Sequence, residues 1–284
     1  ITSSCCLIRR KAKNIGNFIL QGCGMDCKIE RGNTMKQEDS KIRASVCLAC
    51  YNGALYIQEQ LDSILPQMQD TDELIVINDN STDATTEILQ NISDPRVHVY
   101  RNDPNLGVNR SFEKAIGLAK GRYILMADQD DIWTPGRLEK MVSYLQSKNV
   151  LLVSGNSTCI DKSGQDIAFD LGKLFEADST AYGKNVLRIF TGKAYYFGCC
   201  MAFSAELKGI ILPFPKDVES HDLWIAMAAN MMHSNLHLED IVLKRRIHGK
   251  NASVIQRDLM SKIRSRIVFA RSYMELKKRI RILK

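Results

Sequence analysis

The sequence predicts an α/β fold built on a mainly parallel sheet, and three observations lead there. Apolar runs at Ala44–Cys50, Glu73–Ile77, Arg96–Tyr100 and Tyr123–Ala127 alternate with helical patterns at about 54–66, 82–91 and 108–120. Strands alternating with helices give a parallel sheet covered on both faces. Polar clusters then follow the strands or open the helices: Tyr51-Asn52-Gly53, Asn78-Asp79-Asn80-Ser81, Asn105-Leu106-Gly107, and Asp128-Gln129-Asp130-Asp131. In such sheets ligands bind beyond the carboxyl ends of the strands, so the clusters converge on one crevice. Finally, 284 residues, 45% hydrophobic and 25% charged, suffice for a sizeable core in one large or two small domains.

Residues 1–40 lack periodicity, begin with Ile and run into the polar stretch Met35–Lys41. Met35 reads as a natural start, so 1–40 is expected to be a disordered leader outside the fold. In the first strand, Cys47 and Cys50 have the spacing of a zinc or redox half-site. Strand positions three apart face opposite sides, which makes them core residues instead. The nine cysteines include two adjacent pairs, Cys5-Cys6 and Cys199-Cys200, and do not form a disulfide framework. They fit a reducing cytoplasm. Residues 137–148 read as a helix, 150–160 as a strand and Asp161–Gly164 as a turn. The pattern weakens through 165–195, where acceptor specificity is expected to lie. A strand at about 195–203 leads to Pro213-Phe214-Pro215, and Ser220-His221-Asp222-Leu223-Trp224 opens an apolar helix. No segment approaches the ~18 apolar residues of a membrane span.

Charge is unevenly placed. Residues 256–284 hold ten Lys/Arg against Asp258 and Glu275, a net of +8 within a chain of +7, so the rest sums to −1. A nucleic-acid binder needs a basic stripe on its folded body, and none is present. In the tail, Leu259, Ile263, Ile267, Ala270 and Met274 recur at helical spacing, while Arg257, Arg264, Arg271 and Lys278 recur every seven residues. This predicts a basic amphipathic helix, either packed on its own domain or lying on an anionic membrane surface.

Asp128, Asp130 and Asp131 crowd the end of an apolar strand, where carboxylates repel unless a cation joins them. Hard oxygen ligands suit Mg²⁺ or Mn²⁺, with a substrate's phosphates supplying further oxygens. The alternative is a solvated acidic turn in which Asp131 or Thr134 caps a helix beginning at Pro135. Taken in order, Ala49-Cys50-Tyr51-Asn52-Gly53, Val76 to Asp83, Asn105-Leu106-Gly107, Gly121-Arg122-Tyr123-Ile124 and Ala127 to Trp133 resemble the inverting family 2 glycosyltransferases of GT-A fold. The resemblance runs from about Lys41 to Asn251. With His221-Asp222 and Arg246-Ile247-His248-Gly249, it is most similar to bacterial rhamnosyltransferase-type members, which build cell-surface polysaccharides.

The resemblance implies roles residue by residue. Tyr51 sits beside the donor base, Asn52 is donor-binding, Asp79 accepts the pyrimidine N3–H, Asp128 lies near the ribose, and Asp130 holds Mn²⁺ or Mg²⁺ at the donor diphosphate. Asp83 supports the next helix. Asp222 is the general base, the alternative being a helix N-cap; its apolar surroundings should raise its pKa. His248 lies near phosphate or metal, or is an exposed loop histidine. Lys244, Arg245 and Arg246 contact phosphate or form a solvated basic turn. Arg110 stands one place before the usual diphosphate-contacting arginine. His98, His233 and His237 read as structural. The implied domain is 41–255, with a nucleotide-binding half (41–131), an acceptor-binding and catalytic half (132–255) and the tail 256–284. The implied activity is hexose transfer, foremost rhamnose from dTDP-rhamnose, to a saccharide or lipid-linked acceptor, in the cytoplasm or peripherally on the membrane's inner face. UDP-galactose or UDP-glucose transfer, or non-catalytic nucleotide-sugar binding, are the alternatives.

Overall fold

The computed structural model describes residues 41–248 and 259–283; the expected leader 1–40, residues 249–258 and Lys284 lie outside the described residues. Ala44–Cys50 (β1), Asp72–Asn78 (β2), Val97–Arg101 (β3) and Tyr123–Asp128 (β4) pair in parallel in the order β3-β2-β1-β4. Between them lie helices Ile57–Ile64 (α1), Thr85–Gln90 (α2) and Val108–Leu118 (α3). Successive side chains of β1 point to opposite faces. Cys47 packs with Ile75, Met126 and Phe112, whereas Leu48 and Cys50 pack with Val76, Leu125 and Leu61. The two thiols therefore belong to separate apolar layers, as strand alternation predicts, and both are free. Gly121 lets the turn before β4 close against β1: a Cβ there would stand 2.5 Å from the Ser45 backbone nitrogen.

The second half supplies Ile132–Trp133 (β5), Arg137–Lys148 (α4), Leu152–Ile160 (β6), Asp166–Ile167 (β7), Tyr182–Thr191 (α5), Met201–Ser204 (β8), Lys208–Ile211 (α6), His221–Met231 (α7), Asn235–Arg246 (β9) and Leu259–Leu283 (α8). Beyond β4 the sheet becomes mixed. β8 is antiparallel to both β4 and β6, β9 is parallel to β6, β5 is antiparallel to β9 at the edge, and β7 pairs with β6. Helices flank the sheet in a GT-A-like α/β arrangement.

Several expectations change. The strand expected at 195–203 begins at Met201, because Gly198–Cys200 forms a 3-10 turn. α4 begins at Arg137, after Gly136 at φ 75°, and has no side-chain cap; neither Asp131 nor Thr134 caps it. Lys244-Arg245-Arg246 is not a solvated turn. It ends the twelve-residue strand β9, with Arg245 and Arg246 buried. α8 is the expected tail helix, but it docks through Val268, Phe269, Leu276 and Ile280, with Ser265 and Ser272 permitting close approach, while Ile263, Ile267 and Met274 stay exposed. The docked face is the side opposite the stripe read from sequence, whose Ile263, Ile267, Ala270 and Met274 turn to solvent. No described helix is long and apolar enough to cross a membrane.

Candidate active site

The first loop of the crevice is built by backbone geometry. After β1, Asn52 adopts φ 49°, a conformation that asparagine tolerates. Its Oδ1 accepts the Thr82 N–H at 2.8 Å, and its own N–H donates to Ser81 Oγ, stapling the loop after β1 to the loop after β2. Gln129 clamps Tyr51 from the acidic loop: Tyr51 N–H donates to Gln129 Oε1 at 2.8 Å and Gln129 Nε2 donates to the Tyr51 carbonyl. The Tyr51 ring is left 48% exposed, free to stack rather than fill a core. Asp83 accepts the Thr85 and Ala54 N–H groups, supporting α2 as expected.

Asp79 is buried and pins the third loop. Its Oδ1 accepts Asn102 Nδ2 at 2.7 Å and Leu106 N–H at 2.9 Å, and its Oδ2 accepts Gly107 N–H at 2.8 Å. Three of roughly four lone-pair positions are thereby used, which leaves one on Oδ2.

The carboxylates meet beyond β4. Asp131 is buried; its Oδ1 accepts the Arg246 N–H at 3.1 Å and its Oδ2 has no hydrogen-bond partner. Burial, then the charges of Asp128 and Asp130, hold its carboxyl well above the usual range. Asp128 is raised by burial and by Asp130, against the pull of His221 and Arg245. Burial alone would lower the Arg245 guanidinium, but Cys199, Asp128 and Asp131 around it raise it instead and keep it charged. It lies 4.3 Å over the Phe197 ring. Arg246 knits the site together: its Nε donates to the Asp130 carbonyl at 2.9 Å, its Nη1 to the Asp161 carbonyl at 3.1 Å, and its Nη2 pairs with Glu59 of α1.

His248 comes back to the acidic loop, its Nε2 2.8 Å from Asp130 Oδ2, with its ring stacked on Tyr56. It is not an exposed loop histidine. A carboxylate and an imidazole at this separation suit a hard or borderline divalent cation. Oxygens of Asp128 and Asp131 and the Cys199 sulfur also lie within 4.8 Å of one another. The buried Arg245 already balances those carboxylates, and a thiol is a poor ligand for Mg²⁺ or Mn²⁺, so Asp130 and His248 are the better-matched pair.

Asp222 stands in the first turn of α7. Its Oδ1 accepts the Leu223 N–H at 2.7 Å and its Oδ2 the Gly198 N–H at 3.3 Å. Ser220, not Asp222, occupies the helix's N-cap position. Burial pushes the carboxyl up to about 6, against those two N–H groups and Arg245. His221 beside it is buried, stacked 4.3 Å from Phe112, and lowered to about 4 by burial, hence neutral. Its Nδ1 lies 3.1 Å from Asn109 Oδ1. Arg110 is directed elsewhere. Its guanidinium donates to Glu113 and to the carbonyls of Phe214, Pro215 and Lys216, fastening α3 to the Pro213–Pro215 segment. Of the residues singled out in the sequence, the structure thus brings Asp128, Asp130 and His248 to one crevice wall and Tyr51, Asn52 and Asp79 to its loops. Sequence reading left Gln129, Asn109 and Cys199 unassigned, and gave Arg245 to phosphate or a solvated turn rather than to the buried carboxylates it faces. The available signal was an adjacent arginine pair in a body whose acidic cluster needs buried countercharge.

An α/β domain with a carboxylate-lined crevice at its strand ends is the class this geometry defines. Residues 45–208, more than half of the chain, match the family model described as glycosyl transferase family 2, and the chain belongs to that family. It is 28% identical over 239 residues to the chondroitin synthase of Pasteurella multocida, covering 79% of this chain and 23% of that one. Matches span 35%, 42% and 23% of the first curated relatives' lengths, well under two thirds. Among solved structures, Staphylococcus aureus TarS 1-349 in complex with UDP-GlcNAc superposes with TM-score 0.65 at 20% identity, over 81% of this chain and 66% of that one. The mannosyltransferase PcManGT of Pyrobaculum calidifontis with GDP-Man and Mn²⁺ gives 0.55 at 20% identity, over 84% and 74%. At such identities the likeness concerns the fold.

Proposed function

We propose that the protein is a divalent-cation-dependent, inverting glycosyltransferase that moves a hexose from a nucleoside-diphosphate sugar to a saccharide acceptor in cell-surface polysaccharide synthesis. The observation carrying this reading is the pairing of Asp130 with His248 in a crevice that also holds Asp222 with its carboxyl near 6. Nucleotide-sugar complexes among the structural neighbours, one with Mn²⁺, support it.

Tyr51 stacks on the donor base, Asn52 shapes the loop beneath it, and Asp79 offers its free lone pair to a uracil or thymine N3–H. Asp128 faces the ribose. Asp130 and His248 would hold Mn²⁺ or Mg²⁺, which supplies positive charge to the departing diphosphate. Asp222 takes the proton of the acceptor hydroxyl while that hydroxyl's oxygen bonds to the anomeric carbon. The bond from that carbon to the diphosphate oxygen breaks with its electron pair, and the nucleoside diphosphate leaves from the opposite face. A carboxyl near 6 is ionised at neutral pH yet remains a better base than an exposed aspartate. Within the proposed domain, residues 41–131 bind the donor and 132–255 the acceptor. Rhamnose from dTDP-rhamnose is the preferred donor, and UDP-galactose or UDP-glucose is the alternative. The basic tail 256–284 holds the protein peripherally on the inner face of the membrane, where a lipid-linked acceptor would reside.

A panel of nucleotide sugars, assayed for Mn²⁺-dependent hydrolysis and for thermal stabilisation, tests the reading. One donor should stand out in both. Stabilisation without turnover, on any acceptor tried, would favour a binding protein over a transferase.

A further inference from the structure

α8 carries two apolar faces. Val268, Phe269, Leu276 and Ile280 are buried against the body, whereas Met260, Ile263, Ile267 and Met274 remain between 48% and 71% exposed. At 3.6 residues per turn the second face lies about 180° around the helix from the first. Apolar exposure continues onto α5, where Leu187 is 59% and Phe190 40% exposed. The end of α5 is tied to α8 by Arg266, which donates to the Thr191 carbonyl at 2.8 Å. Between the two helices lies a groove of about 570 Å³, lined by Leu187, Phe190, Met227, Met231, Tyr273 and Met274.

Charge selects the occupant. α8 bears eight Lys/Arg against Glu275, and Arg264, Arg271 and Lys278, seven residues apart, border the exposed stripe. A second copy on this face would set these cations against their own equivalents. Residues 1–40, with seven Lys/Arg against four Asp/Glu, carry the same sign. An anionic surface is complementary, and a helix of 25 residues presents a ridge of about 37 Å that meets a plane along its length. We propose that α5 and α8 together form one docking face for an anionic bilayer, with Leu187, Phe190 and the exposed α8 stripe entering the interface and the groove receiving lipid hydrocarbon. This rests on the membrane reading of the tail and enlarges it: the seat is a two-helix surface of the folded body. α7 joins that surface to the crevice, Met231 lining the groove nine residues, or about 14 Å of helix, beyond Asp222.

Co-sedimentation of the full chain with vesicles of phosphatidylcholine alone, or of phosphatidylcholine with phosphatidylglycerol, tests the proposal. The protein should bind the anionic vesicles, be released by salt and ignore the neutral ones. Leu187→Glu/Phe190→Glu, Ile267→Glu/Met274→Glu and Arg264→Glu/Arg271→Glu should each weaken binding by about tenfold or more. Their melting temperatures should stay near wild type, since all these side chains are exposed. Phe190→Trp should shift its emission to the blue on adding anionic vesicles, against the constant background of buried Trp133 and Trp224. Wild-type binding by the α5 double variant, with loss in the α8 variants, would overturn the joint face and leave the tail reading standing. No vesicle binding by the full chain, or a concentration-dependent dimer abolished by the same substitutions, would overturn both. Donor hydrolysis in solution reads the transferase proposal separately and should not change in any of these variants.

Discussion

Replacing Asp222 with asparagine keeps the shape of the side chain and removes its charge, which has opposite consequences for activity and stability. The folded state moves this carboxyl from 3.8 to about 6, a preference for the protonated form equivalent to about 3 kcal/mol. Between those two values the folded protein binds more protons than the unfolded chain, so stability falls as pH rises through the interval. The native aspartate is therefore a net burden above about pH 6 and costs nothing below about pH 4. Asparagine escapes the burden but forfeits the acceptor for the Gly198 N–H, a 3.3 Å contact worth about 1 kcal/mol. Asp222→Asn should thus be more stable than wild type by about 2 kcal/mol at pH 8, or roughly 4–8 °C in melting temperature, and slightly less stable at pH 4. Its transfer rate should fall by roughly 10²–10⁴ with donor affinity unchanged. Wild-type transfer should rise with pH through about 6 and then level off. Differential scanning calorimetry at the two pH values, beside initial-rate measurements, reads all of these outcomes. Retained transfer would refute the base assignment, and equal stability at pH 8 would refute the buried-charge argument.

Asp130→Ala and His248→Ala should each lose Mn²⁺-dependent donor affinity with the fold intact; equal calorimetric affinity in EDTA and in Mn²⁺ would remove the metal from the mechanism. Asp79→Asn places an amide where the Leu106 and Gly107 N–H groups need acceptors, and should loosen that loop and weaken donor binding by about tenfold. An unchanged dissociation constant would show that the loop does not shape the base pocket. Leu276→Ala empties a fully buried position between α8 and the body and should cost about 2–5 kcal/mol in urea unfolding. A loss under 1 kcal/mol would mean that α8 is not firmly docked.

The sequence by itself determined β1, β2, β4 and their helices, because strands buried on both faces must be continuously apolar and the polar loops between them punctuate the pattern. Separation of Cys47 from Cys50, and the support of α2 by Asp83, likewise follow from local geometry. β9 escaped because it mixes buried His237, Arg245 and Arg246 with apolar residues. Those side chains are buried by partners more than forty residues away: Tyr196 for His237, and Glu59 and the Asp130 carbonyl for Arg246. α5 was hidden for a similar reason, since its apolar stripe is short and leaves Leu187 and Phe190 exposed. For the tail, periodicity identified a helix but could not choose its packed face, because α8 has apolar residues on two sides and only the shape of α5, α6 and α7 selects Phe269 and Leu276. The carboxylates of the crevice were legible as residues, and the raised Asp222 carboxyl was expected from its apolar neighbours, whereas the raised Asp128 and Asp131 carboxyls were not. That Asp131 is protonation-prone and Asp222 sits near 6 depends on burial and on the Arg245 guanidinium and Arg246 N–H arriving from β9, and that Arg110 points away depends on the Phe214, Pro215 and Lys216 carbonyls, distances that only the tertiary structure fixes.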